Sequence, residues 1–194
     1  MQIFDFRPLL VAFVLLVSLI NMSQAAKLDT PATKDSTILR STVSCWECPD
    51  RNCYKCTKGH EKTLQANTGG HAFIRSLIGF RLSKKVKSVT SCHVQFPAFV
   101  RQLEYGTNVT FAIAASSSWD ESTVDGNNAP GSGNPFVTIH VPPKQNMGPI
   151  DITPACKKAA KDGQFSIYLG TVFGTIEIYS KDSGNPAILH VIYK

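Results

Sequence analysis

The stretch AFIRSLIGFRL, residues 72–82, decides the fold. Taken with a two-residue period, it sets Ile74, Ile78, Phe80 and Leu82 on one face and Phe73, Arg75, Leu77, Gly79 and Arg81 on the other. Successive strand side chains point to opposite sides of a sheet, so the first face enters a core and the second is left open. Working outward, the pattern returns. SCHVQF (91–96) sets Cys92, Val94 and Phe96 against His93 and Gln95, and NVTFAIA (108–114) sets Val109, Phe111 and Ile113 against Thr110 and Ala112. FVTIHV, FSIYLG, TIEIYS and AILHVIY follow, each short and apolar. With one more around STVSCW (41–46), about eight or nine strands result, at the spacing of a β-sandwich. The expected class is all-β with one short helix.

That helix falls in DITPACKKAAKDGQ (151–164), where Thr153 suits an N-cap, Pro154 the first helical position and Gly163 the end. Cys156, Ala159 and Ala160 share a face, while Lys157, Lys158 and Lys161 point elsewhere and form a solvated face. SSSWDESTVDGNNAPGSGNP (116–135) is polar and long. A connection of that length in a compact domain is expected to be functional or mobile.

The N-terminus is expected to be an export signal, residues 1–25. Arg7 precedes an apolar run from Pro8 to Ile20, and Ser23 and Ala25 are small at the positions a signal peptidase reads. The run falls short of the roughly 20 apolar residues that span a bilayer. Cleavage after Ala25 places the mature chain outside the cell, secreted or in the cell wall, with no membrane span. It removes Asp5 and Arg7 together, so the net charge of +6 is unchanged. Residues 26–36 lack periodicity and are expected to be a flexible tail, and 37–194 to form one domain. The positive balance favours anionic partners. No basic run with interleaved aromatics marks a nucleic-acid footprint, which leaves acidic glycans as the extracellular counterpart. Asn108-Val109-Thr110 is a glycosylation sequon, with Asn108 expected to face solvent because Val109 faces the core.

CWECPDRNCYKC (45–56) holds four of the six cysteines. Paired C-x-x-C elements can hold zinc or form a redox site, but the loop between them is short for a zinc ribbon and no βαβ context surrounds them. In an oxidising compartment disulfides are expected, without metal or other cofactor. A hairpin turning at PDRN would set Cys45 opposite Cys56 and Cys48 opposite Cys53, the expected pairing. Residues 45 and 48 would face opposite sides of a regular ladder, so a bulge or a partner elsewhere is the alternative. Cys92 and Cys156 both face the core and either form a third bridge or remain two buried thiols.

SLIGFRLS, VTSCHVQF, SSSWDESTVDGNNAPG, IDITPACKKAAKDGQFSIYLG and YSKDSGNPAILHVIY occur in this order. Together they resemble the DNRLRE-type, disaggregatase-related modules of carbohydrate-binding module family 96, over roughly residues 60–194. The resemblance implies a jelly-roll-type β-sandwich and non-catalytic binding of polysaccharide, with alginate-like uronates as ligand class. By position, Arg75 matches a basic residue before the family's L-x-F-x-L-S strand. Trp119, Glu121 and Asn127–Pro130 match W-x-E-x-T-V…N-N-A-P, Asp151 and Thr153 match D-V-T, and Ser180, Lys181 and Gly184–Pro186 match S-R-E-x-G-N-P. Arg81 departs from the family's usual Asp, Gly126 from its Trp, and the cysteine-rich segment from its Gly/Ser/Asn/Tyr-rich start. Arg75 and Arg81 on an open face would grip carboxylates bidentately, with Lys181 extending the surface. Trp119 serves either as a core or loop anchor or as a sugar-stacking ring.

An enzyme is not expected. Asp120 and Glu121 would diverge on a strand rather than face one bond, His71, His93, His140 and His190 are scattered, and no G-x-S-x-G turn or phosphate loop occurs. A cell-wall or matrix structural protein, or a secreted host-interaction factor, is the other reading.

Overall fold

The computed structural model describes residues 25–67, 72–83, 86 and 88–194. The export signal, apart from Ala25, and His71 lie outside the described residues. Among the described residues eleven strands form: β1 (Ala26–Pro31), β2 (Lys34–Ser41), β3 (Thr63–Asn67), β4 (Ala72–Arg81), β5 (Val89–Gln95), β6 (Thr107–Ala114), β7 (Ser132–Val141), β8 (Ile150–Asp151), β9 (Gln164–Thr171), β10 (Thr175–Tyr179) and β11 (Ile188–Tyr193). One sheet runs β1-β11-β5-β8; the other runs β10-β3-β4-β9-β6-β7, with β2 on β4, and every pairing is antiparallel. The all-β sandwich is what the alternation implied.

The core lies between the sheets. Ile78 and Phe80 of β4 meet Val109 and Phe111 of β6, Ile167 and Leu169 of β9, Val94 of β5, and Leu189 and Val191 of β11. Phe80 stacks on its cross-strand partner Phe165, and Phe96 on Phe111, both with centroids 5.5 Å apart. Burial of each such ring contributes on the order of 2–3 kcal/mol. Two polar positions on this side dock β3: the Gln65 N–H donates to Thr37 Oγ1 (3.0 Å), and Ser76 Oγ donates to the Gln65 carbonyl (3.0 Å).

Several expectations need correction. Residues 26–36 are not a tail: β1 pairs with β11 from Ala26↔Tyr193 to Pro31↔Ile188, and β2 begins at Lys34. Polar edge residues hide this strand from periodicity, because only an edge with one half-covered face is being built. STVSCW is no strand of its own; β2 ends at Ser41, and Ser44 makes an isolated bridge to Asn52. The helix is a single turn, α1 (Thr153–Cys156), and Thr153 is not its N-cap. Asp151 Oδ1 accepts the Thr153 N–H (2.8 Å), and Thr153 Oγ1 accepts the Cys92 N–H (2.9 Å), fastening the turn to β5.

All six cysteines are paired, but the cluster pairs as Cys45–Cys53 and Cys48–Cys56. The expected hairpin pairing fails because no ladder forms there; 3-10 turns at Pro49–Arg51 and Cys53–Lys55 wind the segment instead. Asp50 and Arg51 both sit at positive φ (53° and 55°), a left-handed conformation costing roughly 1–2 kcal/mol per residue. Cys92–Cys156 is the third bridge, between β5 and α1.

Candidate functional site

The outward face of β4 is mostly closed. Residues 115–131 fold back over it, and Ile38, Leu77, Ala112, Ala114, Trp119, Val124, Ala129 and Tyr168 form a second apolar layer. Antiparallel register explains the set: Ile38 pairs with Arg75, and Leu77 with Tyr168, which pairs in turn with Ala112. The expected open face is therefore corrected, and the long loop is its lid.

Trp119 is the anchor of this layer, 9% exposed, its Nε1–H donating to Ser166 Oγ (3.0 Å). The Lys34 ammonium lies 4.3 Å from the ring centroid and donates to the carbonyls of Ser117 (2.7 Å) and Trp119 (2.6 Å). Burial lowers the Lys34 pKa, with Asp120 acting against it. Gly79 makes room for this pair: a Cβ there would lie 2.8 Å from Lys34 Cγ and 3.3 Å from Trp119 Cζ2. Gly126 is fixed by space as well, since a Cβ would fall 2.2 Å from the Leu39 carbonyl oxygen. The family's tryptophan has no room there.

Arg75, expected in solvent, is 9% exposed. Its Nη1 donates to Ser132 Oγ (2.7 Å), and the guanidinium packs 4.7 Å from the Tyr168 ring centroid and 5.4 Å from that of Phe73. Burial lowers the Arg75 pKa and raises that of Tyr168, whose hydroxyl donates to the Pro130 carbonyl (2.6 Å). Sequence reasoning missed Arg40, which pins the lid by donating to the carbonyls of Gly126 (2.9 Å) and Ala129 (2.8 Å). Backbone acceptors that far along the chain leave no local signal.

Lys181 is spent on a second knot. Its Nζ lies 2.9 Å from both Glu121 Oε2 and Asp182 Oδ2, while Glu121 Oε1 accepts the Asp35 N–H (2.6 Å). Burial pulls the Lys181 pKa down, but the bonds to Asp182 and Glu121 outweigh it and raise it. His60, Glu121 and Asp182 have ligand atoms close enough to share a cation, yet the Lys181 ammonium already bridges the two carboxylates. Cys45 and Cys48, clustered with Glu47, have their sulfurs in disulfides. Asp120, adjacent to Glu121, caps the Ser122 N–H (2.9 Å).

Of the four residues expected to bind carbohydrate, only Arg81 reaches solvent freely, its side chain 57% exposed and 3.8 Å from Asp162. The Gln164 N–H and side-chain amide hold the Asp162 carboxyl below the usual range. Around this pair the surface is concave. A cleft of about 650 Å³ bounded by Leu82, Val89 and Lys157 meets one of about 490 Å³ bounded by Ser116–Ser118 and Lys158, and both share Lys161 and Asp162. Arg81 borders a third of about 440 Å³ that also reaches Asp162. The lysines first assigned to a solvated face are all exposed here.

The profile of carbohydrate-binding module family 96 matches residues 55–193. The chain belongs to this family. A relative from Arthroderma benhamiae, described as an uncharacterized secreted protein, is 59% identical over 168 residues, covering 87% of this chain and 86% of the relative. In this family-96 chain the W-x-E-x-T-V…N-N-A-P residues build the lid: Asn128 Nδ2 donates to the Thr123 carbonyl, and Asn127 Nδ2 to that of Tyr54, both at 2.8 Å. The matched region begins just inside the cysteine cluster, leaving Cys45–Tyr54 outside it.

Proposed function

We propose that the chain is a secreted, non-catalytic carbohydrate-binding module that takes an acidic, uronate-type polysaccharide in the clefts around Asp162. Family membership supports the ligand class, and the secreted relative supports the compartment. One observation carries the acidic reading: Arg81, Lys157, Lys158 and Lys161 border neighbouring clefts whose lining carboxylates, Asp162 and Asp29, already face Arg81 and His190 respectively. A repeating polyanion makes several weak contacts at once, and the arginine fork accepts a carboxylate in two bonds. Each exposed contact contributes about 0–1 kcal/mol, so affinity is modest and salt-sensitive.

Affinity electrophoresis in alginate, polygalacturonate and a neutral glucan tests this. The triple variant Arg81→Ala, Lys158→Ala, Lys161→Ala is expected to weaken retention in the acidic gels about tenfold without loss of fold, since all three side chains are exposed. Asp162→Asn is expected to strengthen it by freeing Arg81. Retention indifferent to salt and to these variants defeats the acidic reading, and release of oligosaccharide products defeats the non-catalytic one.

A further inference from the structure

A knob stands largely outside the family-matched residues, running from Cys45 to Cys56. Trp46 projects from it, 74% exposed, with the Arg51 guanidinium 4.1 Å from its ring centroid. This placement is not a relaxed accident of the chain. Asp50 and Arg51 are both held at left-handed φ, where L-residues are rare. Such backbone persists where surrounding bonds over-determine it, and it gathers at binding sites. Here Cys45–Cys53 and Cys48–Cys56 cross-link both sides of the turn, and the Cys45 N–H donates to the Arg51 carbonyl (3.0 Å). The guanidinium is thereby fixed over one face of the indole. At this exposure, the opposite face is left to solvent.

We propose that the knob is a second carbohydrate site, in which the free face of Trp46 stacks on the C–H face of a neutral hexopyranose. Arg51, Asp50 and Glu47 bond its hydroxyls. The ring's chemistry favours a sugar: an aromatic face presents negative π density to the polarised C–H bonds of a pyranose. The charges favour a neutral one. Glu47 and Asp50 balance Arg51 and Lys55, Asp50 is paired with Lys55 at 2.6 Å, and Lys58, 3.9 Å from Glu47, is itself paired with Glu61 at 2.8 Å, so no net charge selects a uronate. Hydroxyls both donate and accept, which a mixed acidic and basic set satisfies. A protein partner fits less well, because a contact hot spot sits within a wider apolar patch that excludes water. Only Val43 is a large exposed apolar neighbour in sequence. The site is independent of the clefts around Asp162.

The chain has two tryptophans and Trp119 is buried, so a ligand-induced change in intrinsic fluorescence reports Trp46. The full secreted protein is titrated with laminarin, hydroxyethyl cellulose and chito-oligosaccharide at about 0.5 M salt, where surface charge is screened within a few Å. At least one of these is expected to give a saturable fluorescence change and to protect a tryptophan from acrylamide quenching. Trp46→Ala is expected to weaken that binding about tenfold or more, and Trp46→Phe to retain it within about threefold. The Arg81/Lys158/Lys161 variant is expected to leave it unchanged, which separates this site from the basic clefts. No response to any neutral glycan, or an unchanged affinity in Trp46→Ala, overturns the proposal. Self-association lost in Trp46→Ala without any glycan response assigns the ring to a protein contact and overturns it equally.

Discussion

Asp35 shows how much one side chain can conceal. It lies on the inward side of β2, 2% exposed, with Oδ2 accepting the Lys181 N–H (2.8 Å). Its Oδ1 is the one buried side-chain atom without a hydrogen-bond partner among the described residues. Burial pushes its pKa up to about 7, against the lowering effect of the Lys181 N–H and with help from the Glu121 charge. An unfolded Asp titrates near 3.9, so between pH ~4 and ~7 the folded protein holds a proton that the unfolded chain has released. Stability therefore falls as pH rises through that window and levels off above it, by up to about 4 kcal/mol. Asp35→Asn keeps an acceptor for the Lys181 N–H and removes the charge. Urea midpoints at pH 4 and pH 8 check the expected outcome, a gain of about 2–4 kcal/mol at pH 8 and little change at pH 4. Equal effects at both values would refute the assignment. None of this was visible in AKLDTPATKDS, where Asp35 is one polar residue in an aperiodic run.

At the scale of elements, α1 depends on its neighbours. A four-residue turn is far below the length at which helix is stable alone. It is held by Cys92–Cys156, by the Ile152 N–H on the Cys92 carbonyl (2.9 Å), and by Thr153 Oγ1. The bridge closes a 64-residue interval, which in the chain-entropy picture stabilises the fold by about 4 kcal/mol. Replacing both cysteines by alanine is expected to cost that amount in a denaturant titration. Since Lys157–Lys161 continue directly from α1, the same variant should lose retention in alginate at temperatures where it remains folded. Unchanged retention would show that the basic segment is positioned without its anchor. The cysteine-rich segment carries the opposite lesson. Spacing alone suggested a ladder, but with no partner strand the backbone wound into 3-10 turns, and pairing changed with it.

Across the whole molecule, β6 links two distant surfaces. Asn108 lies near its start, exposed, with its Oδ1 3.0 Å from His140 Nδ1, while Ile113 and Ala114 at its end border the cleft of Lys158. Six residues of strand separate them by about 20 Å. A glycan on Asn108 would therefore stand clear of the basic clefts. In material secreted from eukaryotic cells, peptide-N-glycosidase treatment is expected to remove mass from the Asn108 peptide without altering retention in alginate. Loss of retention on deglycosylation would place the glycan in the binding surface.

The sequence by itself determined what is local and periodic: the inward faces of β4, β5 and β6, the all-β class, the solvent-facing Asn108 and the core-facing Cys92 and Cys156. These follow from the two-residue alternation of strand side chains, which needs no knowledge of partners. The ordered motifs from SLIGFRLS onward carried a resemblance to the family, which the match over residues 55–193 bears out. Only the tertiary structure decided which outward residues remain in water. Arg75 and Arg81 are equivalent by alternation, yet the lid and Ser132 at the start of β7 cover the first and stop short of the second. Trp119, Lys181 and Arg40 likewise take their roles from partners tens of residues away. Coverage is a property of contacts between distant segments, so a strand's periodicity names its faces but not what lies on them.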